Sequence, residues 1–117
     1  MERRLRLRRP KDFERIRRQG RQYHHRLMSL SVMPNGLAVN RYGIVTSKRL
    51  GKAVTRNRVR RRLREILRLL HPRLQNGYDI VIVARPAVVE QPFGAIQRII
   101  NELCQQAGLL RVESDLT

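Results

Sequence analysis

The spacing of apolar positions changes along this chain, and each change marks an element. Pro10, then Lys-Asp-Phe-Glu-Arg-Ile-Arg-Arg-Gln and Gly20, predicts a helix of about ten residues. Proline suits a first turn, where its missing N–H has no intrahelical partner, and glycine stops the last. Phe13 and Ile16, three apart, share its apolar face. Residues 26–33 have strand character and end at the turn signal Pro34-Asn35-Gly36. Residues 40–47 alternate loosely as a second strand, and the two are expected to pair as a hairpin.

From 53 to 70 the period becomes helical. At about 100° per residue, Val59, Leu63, Ile66, Leu67 and Leu70 fall on one side and Asn57, Arg58, Arg61, Arg64 and Arg68 on the other. His71-Pro72 ends the helix, because proline disfavours helical geometry in the residue before it, and Gln75-Asn76-Gly77 turns the chain. Residues 78–85, Tyr-Asp-Ile-Val-Ile-Val-Ala-Arg, form a continuous apolar run, which predicts a strand covered on both faces and hence central. Pro92 opens a last helix to about Ala107, in which Phe93, Ile96, Ile99, Ile100, Leu103, Cys104 and Ala107 line one stripe. Cys104 reads there as a core thiol. The acidic tail, 111–117, is expected to fray. This order predicts an α+β fold, a small α/β sandwich with three helices on about four strands, as one domain over 1–117. A βαβ step runs through the 53–70 helix, and the general rule makes such a crossover right-handed.

Charge changes the picture. Lys and Arg number 26 against 9 Asp and Glu, a formal charge of +17. Residues 1–26 hold 11 basic and 3 acidic side chains, 27–40 none, 41–73 hold 12 basic and 1 acidic, and 74–117 hold 3 basic and 5 acidic. The excess is therefore carried by a basic arm (1–9) with the helix after it, and by the region of the long helix. Of the basic residues 23 are Arg, whose planar fork favours bidentate phosphate contact. A chain 41% hydrophobic is too apolar for a disordered basic tail, and aromatics at 4% with no Trp argue against a sugar site. The single cysteine excludes an internal disulfide, and no Cys/His cluster has zinc spacing. The N-terminus has no apolar stretch for a secretory signal, and the longest apolar run, 80–84, is too short to span a bilayer. A cytoplasmic protein with no membrane partner is the expectation.

Catalytic constellations are scarce. Glu65 is the one carboxylate on the basic helix, spaced to pair with Arg61 or Arg68. His24 and His25 are adjacent and point to opposite faces of an extended segment. His71 ends a helix, where a cation would suit the dipole. Leu50-Gly51-Lys52 carries one glycine, too few for a phosphate loop. What remains is a phosphate-binding surface. Lys48, Arg49 and Lys52 precede a helix N-terminus, and Arg56, Arg58, Arg60, Arg61, Arg62 and Arg64 extend the positive field along it. Twelve basic residues against one acid exceed what solubility requires, which points to a polyanion, nucleic acid best of all.

The stretch Lys48-Arg49-Leu50-Gly51-Lys52-Ala53-Val54-Thr55-Arg56-Asn57-Arg58-Val59-Arg60-Arg61 resembles the Arg-Asn-Arg signature of the bacterial ribonuclease P protein subunits. Arg6-Leu7, Asp12-Phe13, Gly20, Arg41, Gly43, Ser47 and then residues 79–85 fall in that family's order and spacing, from about 5 to 108. The resemblance implies a left-handed βαβ crossover, against the general rule. It implies that the catalyst is an RNA subunit with Mg²⁺ bound mainly by that RNA, and that the protein helps it cleave the 5′ leader from precursor tRNA. Ribonuclease P RNA and precursor tRNA are then the partners, with one copy of the protein in the complex. Arg56, Asn57, Arg58, Arg61 and Arg64 carry over as RNA contacts, and Lys48, Arg49, Lys52, Arg60 and Arg68 belong to the same basic surface. A cleft between the first helix and the sheet binds the leader, where Phe13 matches an aromatic position. Arg17 and Ser31 stand where relatives often place aromatics, which predicts weaker stacking and stronger electrostatic contact. Two rivals differ in class. A structural RNA-binding protein, such as a ribosomal component, shares charge and size but not the Arg-Asn-Arg spacing. A self-sufficient nuclease lacks its constellation here.

Overall fold

A computed structural model describes residues 2–111. Three helices, α1 (Pro10–Gln19), α2 (Ala53–Leu70) and α3 (Phe93–Gln106), pack on four strands, β1 (Arg21–His24), β2 (Met28–Pro34), β3 (Arg41–Val45) and β4 (Tyr78–Ala84). The strands run in the order β1-β2-β4-β3, with β1–β2 and β2–β4 antiparallel and β3–β4 parallel.

The expected hairpin does not form. The segments anticipated at 26–33 and 40–47 both become strands, β2 and β3, but β4 lies between them: Ile82 is opposite Leu30 on one side and Ile44 on the other. Ile80, Val81 and Ile82 are all buried, as a strand apolar on both faces requires, and only the centre of the sheet supplies two covered faces. Once β4 takes the centre, β2 and β3 can only flank it. The polar strand β1, mostly exposed, is an additional edge strand outside the sequence expectation.

Two cores result. On one face α2 and α3 bury Val59, Leu63, Ile66, Leu67 and Ile100 against Leu30, Val32, Ile80 and Ile82. Each of the five apolar positions assigned to the long helix is buried. Cys104 is buried in this layer, and burial pushes its thiol up to about 12, which suits a core side chain and not a nucleophile. On the opposite face α1 seats Ile16 beside Leu7 and Val81, with Phe13, Met33, Val45 and Val83 around them.

Two devices fix α1. A Cβ on Gly20 would come within 2.6 Å of the Ile16 carbonyl oxygen and 2.8 Å of the Val32 carbonyl oxygen, so glycine is what lets the helix end against β2. Asp79, 1% exposed, accepts two hydrogen bonds from Arg41 at 2.8 and 2.9 Å and one from Asn35 at 3.0 Å. Arg15 of α1 approaches the same carboxylate at 3.7 Å. A buried charge held by this many donors is tolerated where an isolated one would not be.

The basic arm is docked. Leu5 and Leu7 are buried, the Leu7 N–H donates to the Tyr42 carbonyl at 2.7 Å, and Arg6 bridges Tyr42 in parallel. Beyond Arg111 the acidic tail lies outside the described residues.

Candidate nucleic-acid interface

The approach to α2 is built locally. Ser47 caps a single 3-10 turn, Lys48–Leu50, by accepting the Arg49 N–H at 3.3 Å. Gly51, at φ 131°, then reverses the chain through a conformation that favours glycine. Lys48, Arg49 and Lys52 stay exposed around the helix start, where unpaired N–H groups add to their positive field. No acidic side chain occupies the first turn of α2.

Because its apolar stripe is committed to the core, the arginines of α2 divide by angle. Arg58, Arg61 and Arg68 are exposed, as is Asn57, whereas Arg56, Arg60 and Arg64 are half-buried. Glu65 pairs with Arg68, not Arg61: it accepts two hydrogen bonds at 2.7 and 3.0 Å, which holds its carboxyl below the usual range. Arg68 is thus the part-neutralised member of the set. Arg60 donates to Asn57 Oδ1 at 2.9 Å and to Thr46 Oγ1 at 2.5 Å, and Arg62 donates to the Gln91 carbonyl at 3.3 Å. The Arg64 guanidinium is held below the usual arginine range by desolvation first, and then by the like charges of Arg6 and Arg60.

That repulsion marks a site which the sequence reading did not assign. Arg3, Arg6 and Arg8 of the arm join Arg64 around a cavity of about 580 Å³ walled by Phe13 and Gly43. The signal was present in Leu5-Arg6-Leu7-Arg8, where apolar and basic residues alternate: Leu5, at the end of a 3-10 turn, is buried in the α2–α3 core and Leu7 in the α1 core, while Arg6 and Arg8 stay exposed.

A second, larger cleft of about 800 Å³ opens between α1 and the sheet, and Phe13, Arg17 and Ser31, the three residues expected there, all line it. Arg17, Arg49 and Arg85 contribute charge to its walls, and among the described residues none of the three has a carboxylate partner within 4.0 Å. Glu14, also in the wall, is paired with Arg18 at 3.5 Å. Phe13 borders both cavities, so the cleft and the arm–α2 site share one wall.

The titratable groups have structural partners. Nδ1 of His25 accepts the Leu27 N–H at 3.0 Å, and His71 Nδ1 lies 2.6 Å from the Tyr42 hydroxyl, beneath which Tyr42 is buried and pushed up to about 12. Among the described residues no group of three or more His, Cys, Asp or Glu gathers in a way that could hold a metal ion, and no helix is long and apolar enough to cross a membrane.

Comparison with known proteins fixes the family. The ribonuclease P family model matches residues 1–108. The chain belongs to the ribonuclease P protein family. A ribonuclease P protein component from a Roseiflexus species is 46% identical over 112 residues, covering 95% of this chain and 92% of the relative. The component from Chloroflexus aggregans is 48% identical over 111 residues, covering 94% and 82%. Among solved structures, a Staphylococcus aureus RNase P protein mutant with defective mRNA degradation activity superposes with a TM-score of 0.87 at 29% identity, over 94% of this chain and 93% of that one. The Thermotoga maritima RNase P protein does so with 0.77 at 30% identity, over 86% and 96%. The α+β fold of the ribonuclease P proteins, with its four-stranded mixed sheet, is therefore the fold of this chain, and of the expected Arg-Asn-Arg signature Asn57 and Arg58 are exposed on α2 while Arg56 is half-buried.

Proposed function

We propose that this chain is the protein subunit of a ribonucleoprotein ribonuclease P that matures tRNA in the cytoplasm. It binds the catalytic RNA through the basic face of α2 and the arm, and receives the single-stranded 5′ leader of precursor tRNA in the cleft beside α1. The observation that carries this reading is the shared wall at Phe13: two arginine-lined cavities meet there, so a leader strand and the phosphates of a second RNA can be neutralised side by side. The protein contributes charge and position. It lowers the repulsion between two RNA segments, while bond cleavage belongs to the RNA subunit and its Mg²⁺. Lys48, Arg49, Lys52, Arg56, Asn57, Arg58, Arg61 and Arg64 face the RNA, with Arg68 weakened by Glu65; Phe13, Arg17 and Ser31 face the leader.

Reconstitution tests it. The purified protein, one copy per RNA, is mixed with a bacterial ribonuclease P RNA and a precursor tRNA at low Mg²⁺. Stimulated 5′ cleavage is expected; no stimulation with a cognate RNA refutes the proposal. Cleavage by the protein alone would establish a self-sufficient nuclease instead.

A further inference from the structure

Six arginines fall within nine positions of α2, and one of them has both arms of its guanidinium engaged within the protein. Arg60 donates through Nη1 to Asn57 Oδ1 at 2.9 Å and through Nη2 to Thr46 Oγ1 at 2.5 Å. Thr46 directly follows β3, so the anchor is the rigid end of a sheet strand. Guanidinium carries donors only, so the Asn57 oxygen must face it. The two N–H donors of the Asn57 amide then turn away, toward solvent, and among the described residues they donate to none.

We propose that Arg60 is a positioning residue: anchored on Thr46, it fixes Asn57 as a double donor aimed at a phosphate oxygen of the RNA, and itself neutralises no phosphate. This rests on the proposed RNA interface. The choice of phosphate follows from the neighbours: Arg58 and Arg61, both exposed and one and four residues after Asn57 along α2, draw a phosphodiester to this spot. An unanchored asparagine can present either its oxygen or its amide. Fixing the amide outward removes the orientation that would repel a phosphate.

Affinity for ribonuclease P RNA, measured by filter binding across a salt series, separates the roles. Thr46→Val removes the anchor and leaves every charge in place. It is expected to weaken binding about three- to tenfold, the range for one lost hydrogen bond, with no change in the slope of log affinity against log salt. Asn57→Ala should weaken binding similarly, and Thr46→Val added to Asn57→Ala should cost nothing further, since its effect passes through Asn57. Arg60→Gln should leave the salt slope unchanged, whereas Arg58→Gln should reduce its magnitude by about 0.7–0.9. The proposal is overturned if Thr46→Val weakens binding equally with and without Asn57, or if Arg60→Gln lowers the slope as Arg58→Gln does. If Asn57→Ala and Arg58→Gln both bind as the parent does, the α2 interface itself falls, an outcome distinct from failure of the relay alone.

Discussion

Phe13 rests on Gly43, and that contact can be broken by one methyl group. A Cβ at Gly43 would lie 2.4 Å from Phe13 Cε1 and 2.7 Å from Cζ, against an ordinary contact distance of 3.4 Å or more. The ring would have to withdraw by roughly 1 Å, and overpacking of this kind costs about 1–3 kcal/mol. For a domain of this size Gly43→Ala should therefore lower Tm by roughly 5–20 °C. The displaced ring also enters one of the two cavities it borders, so affinity for leader-bearing precursor tRNA should fall while affinity for mature tRNA holds. The control is a double-mutant cycle. In a Phe13→Ala background the obstacle is gone, and Gly43→Ala should be neutral or slightly stabilising, because alanine restricts the unfolded strand more than glycine does. Thermal denaturation of the four proteins reads the coupling directly. Equal destabilisation by Gly43→Ala in both backgrounds would refute the contact as the cause.

Four further outcomes are expected. Asp79→Ala leaves Arg41 and Asn35 without their shared acceptor, and breaking such a buried pair costs about 3–5 kcal/mol; with Arg41 half-exposed the loss should fall near 3, a Tm drop of roughly 10–20 °C, and a drop of only a few degrees would contradict the clamp. Tyr42 and Cys104 are both raised by burial to about 12 from unfolded values of 10.0 and 9.0, so their contribution is complete below pH 9 and is lost as pH rises toward 12, by up to about 4 kcal/mol for the thiol; urea titrations of the free protein along this range check it, and Cys104→Ala should flatten part of the decline. Arg17→Phe should add a stacking surface one helical turn from Phe13, tightening leader binding by about 1–3 kcal/mol per stacked base, and leader-length dependence of affinity reads it. If about six phosphates are neutralised, log affinity for the RNA should fall against log salt with a slope of roughly −4 to −5, and a flat response would exclude backbone charge as the driver.

The helices were legible in the sequence because each carries its own signal. The apolar stripe of 53–70 and the proline after it set the bounds of α2, and Pro10 with Gly20 set those of α1. Strand pairing was not legible in the same way, since it depends on partners far along the chain. The turn at Pro34-Asn35-Gly36 favours a local hairpin, but the stronger demand comes from β4, whose two apolar faces need neighbours on both sides. β1 was missed because Arg-Gln-Tyr-His has neither alternation nor β-branching; it exists as an edge through its pairing with β2. The cleft residues followed from the family likeness, whereas the arm site required knowing that Leu5 and Leu7 dock beside Tyr42 and bring Arg6 to Arg64.

Which arginines meet RNA is a separate matter from how many there are. A run in which Arg56, Arg58, Arg60, Arg61, Arg62 and Arg64 all occur reads as one positive surface, yet the angle around the helix and the few acceptors nearby assign them different work. Arg60 is drawn to Thr46 and Asn57, Arg62 to a loop carbonyl, and Arg68 to Glu65, while Arg58 and Arg61 remain in solvent. Charge that is already hydrogen-bonded at home adds to the long-range field but loses little by staying where it is; charge in solvent has its donors available to a phosphate. The field that attracts the polyanion is therefore broad. On the proposed function, the contacts that orient it come from a smaller set: the exposed arginines, the fixed amide of Asn57, and the arm–α2 site beside Phe13, where the charges of Arg6 and Arg64 are brought close together.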